Sequence, residues 1–170
     1  GKPSPKAMTE RRRRQWRANV ISRPVQLSIA YRNPPAGDCE SLGALMFAAY
    51  RGTIDDDGRT RADTVDRVAK FFAGVFGDPL LNCSFVALDD LQPISATLVS
   101  MDEHEPLLAQ AYTTPERQGE GLASALIQLS MNALASKGLT VLHLMATVGN
   151  HPAEQLYRKL GFEPAEPITN

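Results

Sequence analysis

Residues Pro115-Glu116-Arg117-Gln118-Gly119-Glu120-Gly121-Leu122-Ala123-Ser124 set two glycines, one residue apart, at the mouth of an amphipathic helix. The helix carries the stripe Leu122, Ala125, Leu126, Leu129 and Ala133, and the apolar run Leu107 to Thr114 stands just before the turn. Extended chain, glycine turn and helix together build an anion site out of backbone. The first amides of a helix have no intrahelical acceptor, and the helix dipole puts partial positive charge on them. Glycine permits the turn and the close approach of a phosphate. The segment therefore predicts a ligand that bears phosphate or pyrophosphate.

The flanking pattern supplies a layered fold around that turn. Val25, Leu27, Ile29 and Tyr31 alternate as in a half-buried strand, ended by Asn33-Pro34-Pro35. Asp38 is placed to cap a helix from Cys39 to Tyr50, and Asp63 or Thr64 to open a second one, striped by Val65, Val68, Phe72, Val75 and Phe76. Ser84 to Leu88 and Ile94 to Ser100 read as a hairpin, and Leu107 to Thr114 as a third strand of that group. After the glycine-turn helix, which Lys137-Gly138 closes, come a strand over Leu139 to Ala146 and a last helix opened by Asn150-His151-Pro152. The order β-α-α-β-β-β-α-β-α predicts an α/β (α+β layered) domain, with helices covering a mixed sheet.

Charge is uneven along the chain. Residues 1–23 hold eight of the eighteen Lys and Arg against one acid, Glu10, which leaves the remainder acidic. Such an arm could bind nucleic acid or anionic lipid. The reading taken is a solvated basic leader over residues 1–24, or a short helix pinned by Trp16 and Val20, followed by a catalytic-size domain over 25–170. Nucleic acid is not an expected partner. The sequence lacks a run of about 18 apolar residues and the apolar core of a signal peptide, so no membrane association and a cytoplasmic location are expected. Cys39 and Cys83 have no metal-ligand spacing and are read as free thiols; no metal is expected.

This order and two motifs resemble the GCN5-related N-acetyltransferase (GNAT) superfamily. Gln118-Gly119-Glu120-Gly121-Leu122-Ala123 fits that family's Gln/Arg-x-x-Gly-x-Gly/Ala pyrophosphate loop. Asn150-x-x-Ala153-x-x-Leu156-Tyr157-Arg158-Lys159-Leu160-Gly161-Phe162 is similar to its last-helix signature. The resemblance runs from about Val25 to Phe162 and implies a GNAT fold, here with shortened C-terminal strands. It also implies an acyl-coenzyme A donor, acetyl-coenzyme A first among them, and an amine acceptor attacked directly in a ternary complex.

By resemblance, the backbone of Gln118, Gly119, Glu120, Gly121, Leu122, Ala123 and Ser124 binds the coenzyme pyrophosphate. Tyr112 and Thr113 offer backbone groups to the thioester and pantetheine arm, and Asn150 meets that arm from the far side, with Ala153 and Tyr157 beside it. Tyr157 occupies the position of the family's general acid: a neutral phenol can protonate the departing thiolate. The family's glutamate base is missing, since the matching stretch is Ala109-Gln110-Ala111. Glu105, with Glu103 and His104 next to it, is the nearest replacement. A non-catalytic coenzyme A sensor or partner module is the alternative expectation, and a homodimer is expected to complete an edge left open after Phe162. Asp55-Asp56-Asp57, between the first two helices, is read as a solvated loop, although acids there would suit a cationic amine. His143 is expected to be packed in its strand and His151 to lie at the cleft edge.

Overall fold

The computed structural model describes residues 12–165, in the order β1 (Arg13–Asn19), β2 (Ala30–Arg32), α1 (Cys39–Tyr50), α2 (Arg61–Phe72), β3 (Asp78–Pro79), β4 (Phe85–Asp89), β5 (Gln92–Met101), β6 (Pro106–Thr113), α3 (Leu122–Ser136), β7 (Val141–Thr147), α4 (His151–Lys159) and β8 (Glu163–Ala165). Single 3-10 turns occupy Leu81–Cys83 and Pro115–Arg117. The strands form one sheet ordered β2-β4-β5-β6-β7-β1-β8, with β3 paired to β5. Every pairing is antiparallel except β6–β7, which is parallel and joined through α3. A parallel pair needs such a crossover, because a tight turn can only reverse the chain.

Helices cover both faces. Leu42, Leu45 and Met46 of α1 and Val68 and Phe71 of α2 pack with Val86, Ala96, Leu98 and Tyr112 of the sheet. Ile127, Met131 and Leu134 of α3 pack on the other face with Val99, Leu108, Leu142, Leu144 and Trp16, and Leu156 and Tyr157 of α4 join that cluster. Burial on both sides makes β5 inaccessible from Ile94 to Ser100. The polar pair Thr97 Oγ1 and Ser130 Oγ is satisfied internally at 3.1 Å. Gly43 lets α2 approach α1: a Cβ there would stand 2.5 Å from the Cα of Val65.

Helix α1 spans the predicted residues. Helix α2 starts two residues earlier than predicted, because Thr60 and Asp63 form a reciprocal capping box. It also stops at Phe72, so Val75 and Phe76 lie beyond the helix in a turn. Two readings are corrected. Residues 13–19 are neither a solvated leader nor a helix but a sheet strand, with β7 on one side and β8 on the other. Trp16 is fully buried, and the guanidinium of Arg158 lies 5.0 Å above its ring. Expectations for residues 1–11 and 166–170 fall outside the described residues. The strand predicted over Val25 to Tyr31 shrinks to Ala30–Arg32. Leu27 and Ile29 still pack against a buried cluster, so their alternation marks side-chain contact without a hydrogen-bond ladder.

Candidate active site

Strands β6 and β7 meet at one register, Leu107 opposite His143, near the start of β6 and early in β7. Both strands then run on, to Thr113 and Thr147, without further pairing to each other. A residue-long bulge at Ala109, where the β5–β6 register slips between Leu98 and Val99, bends β6 as it leaves its partner. The opening leads into a cleft of about 500 Å³ between the sheet, α1, α2 and the start of α4. Past the parting point the carbonyl of Ala111 accepts a hydrogen bond from Tyr50 Oη at 3.2 Å.

The glycine turn lies between β6 and α3, at the end where the strands diverge. Gly119 and Gly121 adopt φ of +83° and +80°, the left-handed region that glycine enters without a Cβ penalty. The first i→i−4 bond of α3 runs from Ala125 N–H to the Gly121 carbonyl at 3.0 Å. The amides of Leu122, Ala123 and Ser124 precede it, and no side chain caps them. Nor is there an acid in the helix's first turn to neutralise its dipole. Glu120 is held to one side, since Arg117 Nε donates to its Oε2 at 2.8 Å while Nη1 reaches Asp89 Oδ2 at 2.6 Å. Bare amides, a Cβ-free turn and parted strands fit a pyrophosphate with an extended arm behind it.

Tyr157 projects from α4 into the cleft wall. Its ring packs 6.1 Å from Trp16 and 5.8 Å from Phe162, centroid to centroid. Burial, with a smaller contribution from Asp55, pushes its phenol up to about 12. A phenol so placed keeps its proton throughout the neutral range. Tyr112 is buried and its hydroxyl donates to Gln110 Oε1 at 3.0 Å; Thr113 Oγ1 lies 2.8 Å from Ser95 Oγ. Asn150 caps α4 by accepting from Ala153 N–H at 3.3 Å, and its Nδ2 donates to Asp55 Oδ2 at 3.2 Å. Asn150, Ala153 and Tyr157 thus line one cleft.

Glu105 is not brought to that cleft. Arg17 of β1 donates to both of its carboxylate oxygens, at 2.8 and 2.6 Å. His143 stands 3.4 Å from Glu105 and 3.3 Å from Asp102. The hydrogen bond from Arg17 holds the Glu105 carboxyl below its ordinary range. Glu103 and His104 are exposed, as is His151 at the start of α4. The cleft contains groups that sequence reasoning passed over. Tyr50 ends α1, Arg67 stands on α2, and Arg13 projects from β1. Tyr50, as the final residue of the predicted helix, carried a weak signal; nothing local marked Arg67 or Arg13 as facing a cleft.

A parallel pair closed at one end and open at the other, with an uncapped glycine-turn helix nearby, is the architecture that the resemblance to acetyltransferases implies. The comparisons agree. Residues 81–164 match the model of the acetyltransferase (GNAT) domain, which places that half of the chain in the family. The mycothiol acetyltransferase of Clavibacter michiganensis is 29% identical over 149 residues, covering 88% of this chain and 47% of the relative. A GCN5-related N-acetyltransferase structure from Sphaerobacter thermophilus superposes with a TM-score of 0.68 at 14% identity, over 90% of this chain and 48% of that one. The PaiA N-acetyltransferase of Thermoplasma acidophilum, solved in complex with coenzyme A, gives 0.62 at 17% identity, over 84% and 94%. This chain spans about half the length of the first two. Among the described residues no helix is long and apolar enough to cross a membrane.

Proposed function

We propose that the chain is an acyl-coenzyme A-dependent N-acyltransferase, with acetyl-coenzyme A as donor and a small amine as acceptor. The observation that carries this reading is the parting of β6 from β7 beside the uncapped amides of α3, with Tyr157 on the wall of the same cleft. The donor supplies a thioester carbonyl activated for attack. The amides of Leu122 to Ser124 and the turn at Gln118 to Gly121 bind its pyrophosphate. The β6 backbone at Tyr112 and Thr113 and the side of α4 at Asn150 and Ala153 hold its arm. Tyr157 keeps a proton available for the departing sulfur. No protein-bound acyl group is needed, and neither cysteine lines the cleft. Positioning of amine and carbonyl supplies most of the rate.

The amine must be uncharged to attack. At pH 7 the free base of an ordinary alkylamine costs about 4.6 kcal/mol, and Gln110, at the place of the family's glutamate, cannot take the proton. In this reading the proton leaves through water in the open cleft. A cytoplasmic location and self-association belong to the same proposal and are checked by fractionation and by solution mass. The direct test is release of free thiol from acetyl-coenzyme A across a panel of amines, alongside thermal stabilisation by coenzyme A. Stabilisation without thiol release for any amine would favour a coenzyme A sensor. Absence of both would end the assignment.

A further inference from the structure

The wall of the cleft carries charge of both signs. Asp55 is set on the α4 side. Thr147 Oγ1 donates to its Oδ1 at 2.6 Å and Asn150 Nδ2 to its Oδ2 at 3.2 Å. It stands near enough to Tyr157 and Tyr50 to act on the ionisation of both phenols. A carboxylate anchored there is placed to hold an ammonium next to the proposed general acid.

The α2 side is cationic. The Arg67 guanidinium lies over the Phe76 ring at 4.6 Å and is half-buried in the cleft wall. The backbone under it is pinned by Gln110 Nε2, which donates to the Arg67 carbonyl at 3.2 Å. Arg59 and Arg13 line the same cleft and act on Arg67 as like charges. Arg59 is paired with Asp57. Among the described residues Arg67 forms no ion pair of its own. Asp57, already paired with Arg59, is the carboxylate that acts on Arg67. A guanidinium taken partly out of water gains from a counter-charge of its own, and its planar fork of donors suits a carboxylate or phosphate.

Resting on the acyltransferase reading, we propose that the acceptor is a small amine bearing an anionic group at its far end, the ammonium against Asp55 and the anion on Arg67 and Arg13. Such a molecule spans the cleft with its amine delivered to the Tyr157 side. A neutral amine would leave Arg67 with only the charge of Asp57, which Arg59 already shares, and a polycationic one would add like charge to it.

The test compares matched pairs: glycylglycine with glycylglycinamide for a carboxylate, and O-phosphoethanolamine with ethanolamine for a phosphate. Thiol release from acetyl-coenzyme A is expected to favour one anionic member by about tenfold or more in kcat/KM, the scale of one charged hydrogen-bonded contact. Arg67→Gln should collapse that ratio towards one through KM, and Arg67→Lys should restore part of it. Asp55→Asn should raise KM for both members of a pair. Equal rates within both pairs, or an Arg67→Gln loss shared equally by both members, would overturn the proposal. If no amine is turned over, thermal stabilisation by the four amines in the presence of coenzyme A decides. A shift confined to an anionic member and lost in Arg67→Gln supports the anion site even with the transferase reading gone, and no such shift overturns it.

Discussion

Tyr157 is where the chemistry of one side chain is most exposed to test. Its phenol sits between Trp16 and Phe162 and is held well above the ordinary tyrosine value, to about 12, chiefly by burial. In the proposed role the acid form is the one that donates, so the group would be competent below that value and lost only as pH rises through it. The rate should climb with pH as the amine loses its proton and show no fall from Tyr157 ionisation below about pH 11. Tyr157→Phe should lower kcat by about a hundredfold or more with coenzyme A stabilisation retained. An alkaline fall near pH 9 that vanishes in Tyr157→Phe would place the phenol in a different environment from this one.

At the scale of elements, the turn into α3 depends on conformation rather than on space. A Cβ on Gly121 would meet no atom within 4 Å, yet φ is +80°. Gly121→Ala therefore pays only the left-handed penalty of about 1–2 kcal/mol, which the turn relieves by rotating the amides that follow. Coenzyme A affinity should fall roughly fivefold to thirtyfold by titration calorimetry. Unchanged affinity would remove the turn from the pyrophosphate site. This element was legible in sequence because strand, glycines and 3.6-residue stripe all act within the stretch Leu107 to Ala133, and α4 was legible for the same reason. Strand β1 was not. Its four-arginine neighbourhood resembles a solvated arm, and only pairing with Val141–Thr147, far along the chain, buries Trp16 and Ala18. Arg67 escaped notice because the helical stripe tells which face is apolar, not which polar flank meets a cleft.

For the whole molecule, the closed end of the β6–β7 opening matters as much as its mouth. There Arg17 of β1 and Glu105 at the entry to β6 are joined by two hydrogen bonds, with His143 of β7 3.4 Å from Glu105. The Glu105 carboxyl is depressed in the fold, mainly by its hydrogen bond from Arg17. Its stabilisation is therefore full above the unfolded value near 4.5 and lost as pH falls through the folded one. Glu105→Gln should cost about 1–2 kcal/mol at pH 7, less than a fully buried pair because Arg17 is part-exposed. The difference from wild type should vanish in acid, as urea melts across pH 3 to 7 would register. A penalty independent of pH would mean that packing, not charge, joins these strands.

The place of β1 has a consequence for how the protein is made. On the ribosome Arg13–Asn19 is synthesised before anything it pairs with, and Trp16 waits for Leu144 and Pro164 to appear. The wall of the cleft formed by β7 is thus among the last parts to acquire both neighbours, and the contacts that close it join distant stretches of chain, the slow kind in folding. Until then Trp16 lacks both of the strand partners beside which it is buried in the fold.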